Sequence, residues 1–349
     1  MFKELKVIEL ANVLAGPAAG MFFAELGAEV IKIENKLTGG DVTRSWKLPL
    51  EDAQSESSAY YSSVNWNKRS LMINMNNPEE KQQVLDLIRD ADVVISNYKP
   101  GDDIKLGMDF TSLKKINPTL IYAHLTGFGE DSHRVAYDLI LQAETGFMHL
   151  NGTPESGPLK MPVALIDVLS AHQLKEGILV ALIKKMKTGE GSHVAVSLYD
   201  SAIASLANRA SNYLMTGHNP SAEGSLHPNI APYGETFITA DNKKLVLAIG
   251  DNRQFHRLCM VAGLEKLPLM EQFSSNTNRV KNRNSLFTIL QNAVSSFQSE
   301  EFTNQLHLHG VPAALIHSVK EVMEKNTAQD LILIENTSKR VKTAVFRIS

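Results

Sequence analysis

The chain has 349 residues, 43% hydrophobic and 21% charged, with a formal net charge of −3. That is the composition of a soluble globular protein of about two domains with a large core, and the near-neutral balance does not call for nucleic acid or an anionic membrane as a partner. Cys259 is the only cysteine, so neither an intrachain disulfide nor a thiolate metal cage is available. Apolar runs such as 163–166 are too short to span a bilayer. The first residues lack a secretory apolar stretch. The expectation is a cytoplasmic protein.

Residues 5–10 read as a strand, 18–26 as a helix after a turn at 15–17, and 28–34 as a second strand. Strand, turn, helix, strand within about 30 residues is a βαβ unit and implies a parallel sheet. The pattern recurs: strand 70–75, helix 78–89, strand 91–96 and strand 120–125. This half is therefore expected to be α/β with a doubly wound parallel sheet. The first βαβ does not carry a dinucleotide fingerprint. Its turn reads Gly16-Pro-Ala-Ala-Gly20, without the glycine that lets a pyrophosphate approach, although Glu34 ends the second strand where an acid would hold a ribose. Ligands of open parallel sheets gather beyond the carboxyl ends of strands. Asn97 and Tyr98, just after a strand, are thus candidates for an amide-plus-aromatic contact such as stacking on adenine. Lys68, Arg69 and Lys105 are candidates for phosphates. Each of these cations also reads as an ordinary solvated side chain.

Asp167 stands where a short apolar approach turns into a helical stripe of Leu169, Ile178, Leu179, Leu182 and Ile183. Two readings are open. It is an N-cap that accepts backbone N–H bonds and faces the helix dipole, or it is a nucleophile at the floor of a pocket, kept ionised by those same groups. The helix is expected to run to about 187 and break at 188–191. A strand at 193–198 and a helix at 200–214 follow. Residues 216–232, rich in Gly and Pro, read as a linker. Hairpin strands at 234–239 and 244–249, helices at 253–262 and 284–297, and a strand at 311–316 make a smaller α/β domain. The expected division is 1–215 with 320–349 returning to it, and 233–319. The tail from 331 to 349 is strand-like.

Motifs that would point elsewhere are missing. No H-E-x-x-H, G-x-S-x-G or P-loop pattern occurs. The eleven histidines form no cluster at metal-ligand spacing; His307 and His309 are the nearest and read as incidental.

Several short stretches, in order over nearly the whole chain, resemble the family III CoA-transferases, whose fold is shared with α-methylacyl-CoA racemase. They include 13–17 (Val-Leu-Ala-Gly-Pro), 26–34, 40–44, 67–70 (Asn-Lys-Arg-Ser), 97–101 (Asn-Tyr-Lys-Pro-Gly), 117–122, 127–129 (Gly-Phe-Gly), Tyr137-Asp138, His227-Pro228 and 310–314. The resemblance implies that Asp167 is the nucleophile. It implies that Lys36, Lys68, Arg69, Asn97, Tyr98, Lys105 and Leu106 lie near the CoA nucleotide, with Tyr137 also counted among the coenzyme contacts. It further implies an interlocked homodimer, acyl-CoA and a small carboxylic acid as substrates, and a second domain closing over the cleft; no tightly bound cofactor or metal is expected. A racemase of the same fold uses a His thirty residues before its Asp. Here that position is Tyr137, a poor proton shuttle at neutral pH, which favours transfer. Leu14, where formyl-CoA transferase has Gln, speaks against formyl or oxalate groups. The loop 130–136 is short, and Gly250-Asp251-Asn252 replaces a glycine-rich lid. A CoA-binding homologue without turnover is the alternative of another class.

Overall fold

In the computed structural model, residues 1–335 and 338–348 are described. The expected tail strand therefore falls partly outside them, at 336–337 and 349. The chain divides into two compact units. The first comprises Met1–His149, Leu159–Pro220 and Gln329–Ser349, and the second Leu150–Pro158 and Ser221–Ala328. A short segment before Asp167 thus joins the second unit, and the return to the first begins at 329.

The first unit is built on a parallel sheet of six strands: β1 (Lys6–Glu9), β2 (Glu29–Asn35), β3 (Lys68–Ile73), β4 (Val93–Ser96), β5 (Ile121–Thr126) and β6 (Ser192–Ser197). Their spatial order is β3-β2-β1-β4-β5-β6, so the winding reverses between β1 and β4. The central strands are Val- and Ile-rich because both faces are covered. Val7, Val93, Ile95, Ile121 and Ala123 face one core, with helices α1 (Ala15–Glu25) and α4 (Leu165–Thr188) over it. Ile8, Ile31, Ile33, Val94 and Tyr122 face the other, where α2 (Pro78–Arg89) contributes Val84 and Ile88. Between α2 and α4 lies α3 (Asp138–Glu144).

Local sequence sets the helix limits. In α2, Asn77 caps the amides of Glu79 and Glu80, and Pro78 occupies the first turn. α4 stops at Gly189, which adopts the left-handed conformation (φ 73°) and donates to the Lys185 carbonyl. α1 starts at Ala15, three residues earlier than the turn pattern suggests. Gly16 inside it serves close packing: a Cβ there would stand 2.5 Å from the Ala11 Cβ. The helix expected at 200–214 is two, α5 (Leu198–Ser205) and α6 (Asn208–Thr216), separated by Ala207 at φ 49°.

The second unit has a three-stranded antiparallel sheet, β7 (Tyr233–Ile238), β8 (Lys244–Ala248) and β9 (Ala313–Leu315), with β8 central. Helices α7 (Asn252–Val261), α8 (Arg283–Val294) and α9 (Ser299–Leu308) pack Phe255, Leu258, Leu286, Leu290 and Phe302 against it. The last of these helices has no counterpart among the elements expected from sequence. No helix of the described residues is long and apolar enough to cross a membrane.

Candidate active site

Two loops meet where the strand order reverses. Asn12, after β1, and Asn97, after β4, bond reciprocally: the Asn12 amide donates to Asn97 Oδ1 at 3.0 Å, and Asn97 Nδ2 donates to the Asn12 carbonyl at 2.9 Å. Beside them Val13 has φ 73°, a conformation rare for a β-branched residue. Its amide is held by Asp41 Oδ2 at 3.1 Å. Asp41 is in turn buried against Lys32, whose Nζ also bonds Glu9 at 3.1 Å and the Ala11 carbonyl at 2.6 Å. A buried ion cluster thus fixes the strained loop from below.

Two clefts open from this point, both within the first unit. One, of about 310 Å³, is lined by Asn12, Val13, Asn97, Tyr98, Tyr137 and Asp167, among others. The other, of about 580 Å³, shares Asn12 and Tyr98 and extends over Asn35, Arg44, Asn74 and Leu106. Sites of this kind occupy roughly 300–1,000 Å³.

Asp167 is the third residue of α4, not its cap. The amide at the helix start is capped from elsewhere: Asp138 Oδ1 accepts from the Ile166 N–H at 2.7 Å. Asp138 is held by Gln142, whose Nε2 donates to Oδ2 at 2.6 Å and whose Oε1 accepts from the Met161 amide at 2.8 Å. The capping reading of Asp167 therefore fails, because that role belongs to an acid 29 residues earlier. The idea that backbone N–H groups keep it ionised fails with it. Among the described residues no donor reaches its carboxylate. Burial, with 9% of the residue exposed, and the nearby Asp138 charge push its pKa up to about 7. Across the site, burial raises the Tyr60 phenol to about 12, with the charges of Asp167 and Asp138 adding to it. Tyr60 packs edge-on against Trp46, ring centroids 5.1 Å apart.

The other residues singled out from sequence separate into groups. Asn97, Tyr98 and Tyr137 line the cleft with Asp167. Tyr137 is half exposed and directly precedes α3. Leu106 lines the second cleft. Lys36, which follows β2, pairs with Glu80 at 3.3 Å, and Lys105 with Asp102 at 3.0 Å; both lysines are largely exposed, and neither is among the residues lining that cleft. Lys68 and Arg69 lie elsewhere. Lys68 is buried, and its Nζ bonds Glu9 at 2.7 Å, the Pro17 carbonyl at 2.8 Å and Asn65 at 3.0 Å. Burial lowers its pKa to about 8. Its donors are taken up inside the core, so it has none to offer a phosphate. Arg69 belongs to the amino end of β3, beside Lys6 and Asp90, opposite the strand ends that build the clefts. Sequence reading also missed Asp138 as a cap and Tyr60 and Trp46 as neighbours. No local pattern marks them, because their partners are distant in the chain.

A buried carboxylate with a raised pKa, no donors and a cleft at its side has the chemistry of a candidate base or nucleophile. Comparison with known proteins gives the family. The model of CoA-transferase family III matches residues 2–348. Succinate–glutarate CoA-transferase of Agrobacterium fabrum is 40% identical over 324 residues, covering 91% of this chain and 80% of that protein. Human succinyl-CoA:glutarate CoA-transferase is 35% identical over 324 residues, covering 91% and 72%. The crystal structure of a CAIB/BAIF family protein from Brucella suis superposes with a TM-score of 0.89 at 37% identity, over 99% of this chain and 92% of that one. The chain belongs to CoA-transferase family III and is an enzyme of the CoA-transferase class.

Proposed function

We propose that this enzyme moves CoA between small carboxylic acids through a covalent intermediate on Asp167. The observation that carries the reading is the Asp167 carboxylate itself: buried, without a hydrogen-bond donor, and raised to about 7 beside a cleft. The ionised carboxylate attacks the thioester carbonyl of an acyl-CoA. The C–S bond breaks, giving an aspartyl–acyl anhydride and CoA thiolate. The thiolate then attacks the aspartyl carbonyl and expels the acyl group as a carboxylate. The acceptor carboxylate attacks the resulting aspartyl–CoA thioester, whose C–S bond breaks to give a second anhydride and CoA thiolate; the thiolate then attacks the acceptor's acyl carbon and releases the Asp167 carboxylate. Atoms and charge balance without an external reagent. An Asp starved of donors is a stronger nucleophile than a solvated one, because less solvation is lost on reaction. A dry floor also protects the anhydride and thioester from water.

We infer that CoA lies with its nucleotide end over the larger cleft, near Lys36, Lys105 and Leu106. Its pantetheine arm then passes Asn97 and Tyr98 towards Asp167. Tyr98 and Asn12 line both clefts, which supports one continuous path. The acids named for the relatives, succinate and glutarate, support short dicarboxylates as donor and acceptor. No histidine is among the residues lining the Asp167 cleft, which favours transfer over α-proton abstraction. A homodimer fits the first unit's surface: α6 buries none of its residues, and its Tyr213, Leu214 and Met215 are exposed. Light scattering checks that assembly.

The direct test is to add succinyl-CoA to the protein, quench with hydroxylamine and map the adduct by mass spectrometry. A hydroxamate at position 167, together with succinyl-CoA:glutarate exchange, is expected. Exchange that persists in Asp167→Asn would overturn the proposal.

A further inference from the structure

His124, on β5, is almost fully buried, with 4% of its side chain exposed. Its Nε2 lies 3.1 Å from the Tyr98 carbonyl oxygen. A carbonyl only accepts, so Nε2 carries a hydrogen, and Nδ1 is the ring atom turned to Glu130. That nitrogen lies 3.1 Å from Glu130 Oε1. The same oxygen is 3.1 Å from His193 Nε2, on the neighbouring strand. The three ligand atoms lie within 4.8 Å of one another.

The surroundings hold this arrangement in place. The register pairs Tyr122 with His193 and His124 with Ala195. The two imidazoles are nearly parallel, at 23° and 6.5 Å between centroids, and Phe110 stacks on His193 at 18° and 5.0 Å. Metal-bound histidines commonly donate their other ring N–H to a backbone carbonyl, the relation His124 has with Tyr98. A tetrahedral cation with bonds of about 2.1 Å needs donors about 3.4 Å apart, close to the two observed separations.

We propose that His124 Nδ1, His193 Nε2 and one oxygen of Glu130 form a binding site for a divalent cation of the zinc class. Two imidazoles and a carboxylate suit such an ion, with a fourth position left for water. The partly exposed Glu130 and His193 give it a way in. The site is distinct from the Asp167 cleft but mechanically joined to it. Glu130 starts the segment that brings Ser132, Arg134 and Tyr137 to that cleft, and Tyr98 lines it too. An ion there pins the loop to the sheet.

The test uses the full chain, stripped with a chelator and titrated with Co2+, whose visible absorption reports nitrogen and oxygen ligation. One equivalent is expected to bind with a visible band, Zn2+ is expected to bleach it, and Zn2+ is expected to raise the melting temperature. His193→Gln and Glu130→Gln, both at partly exposed positions, should each weaken binding by about tenfold or more. Each should melt like the metal-free wild type. His307→Gln, in the other close histidine pair, should leave binding unchanged. No stoichiometric band, or a band unaltered in both His193→Gln and Glu130→Gln, overturns the site.

Discussion

Two buried carboxylates in the same unit have opposite fates. Glu34, at the end of β2, is 1% exposed and surrounded by donors. Arg44 reaches it through Nε at 2.8 Å and Nη2 at 2.6 Å, Tyr61 through its hydroxyl at 2.8 Å, and the Asp41 amide at 2.7 Å, with Ser70 donating as well. Burial alone would raise its pKa, but these bonds outweigh it and bring the value down to about 2. Asp167 is almost as well buried, has no such donor, and faces Asp138 instead. Burial therefore does not tell a staple from a candidate reactive group. The donor count does, and with it the direction of the pKa shift.

The contrast breaks most sharply at the chemistry. Replacing Asp167 with Asn or Ala should lower kcat for CoA exchange by about 10⁴-fold or more, as expected when a covalent nucleophile is removed. Equilibrium binding of CoA should survive, since the proposed nucleotide contacts lie in the other cleft. Steady-state exchange and calorimetry with CoA separate the two effects, and a fall of only about tenfold in kcat would mean that Asp167 is no nucleophile.

Stability should move in opposite directions at the two acids. Glu34→Gln leaves a buried guanidinium without its counter-charge and should cost about 3–5 kcal/mol, read as a lower urea midpoint. The Glu34 pKa is depressed, so its contribution is complete above pH about 4.5 and lost as pH falls through about 2. Asp167 has the reverse sign. Its folded value lies above the ordinary 3.8, so the native state holds a proton that the unfolded chain has released between those limits. The wild type therefore loses stability as pH rises from about 4 to 7. A rise from 3.8 to about 7 sets an upper bound of about 4 kcal/mol on that loss. Asp167→Asn should thus match the wild type near pH 4 and exceed it above pH 7, a trade of stability against activity common at reactive sites. Melting curves across that range decide it, and equal stabilities at pH 8 would mean that water reaches the carboxylate.

How much of this was legible in the sequence depended on distance along the chain. The strands of the parallel sheet showed because each is a short run with an apolar stretch or alternation between turn residues. Asn97 and Tyr98 followed from their place after one of them. The position of Asp167 at a helix start showed too. Its environment did not, because the cap expected of it comes from Asp138, and the donors it lacks are an absence that no spacing encodes. Lys68 reads as a free cation until the fold brings Glu9, 59 residues earlier, onto its ammonium. Likewise His124 and His193 meet only through the β5–β6 register, 69 residues apart. Side chains whose partners are local were readable, and those whose partners arrive by topology were not.

The smallest effect is the most specific to the pair of acids at α4. In the proposed mechanism Asp167 must ionise to attack, so kcat/KM should rise with pH along a limb near 7. Burial is the larger cause of that position, and the Asp138 charge is the second. Asp138→Asn removes the charge and leaves Oδ1 to accept from the Ile166 N–H, at the cost of setting Nδ2 against the Gln142 Nε2 that donates to Oδ2, and the limb should move to lower pH. Asp138→Ala loses the cap as well and should cost about 0.5–2 kcal/mol of stability in addition. The two variants together divide electrostatics from helix geometry. A limb unmoved by Asp138→Asn would assign the raised pKa to burial alone. A wild-type limb near 4 would instead mean that the cleft floor is wet and that Glu34 and Asp167 differ less than their surroundings indicate.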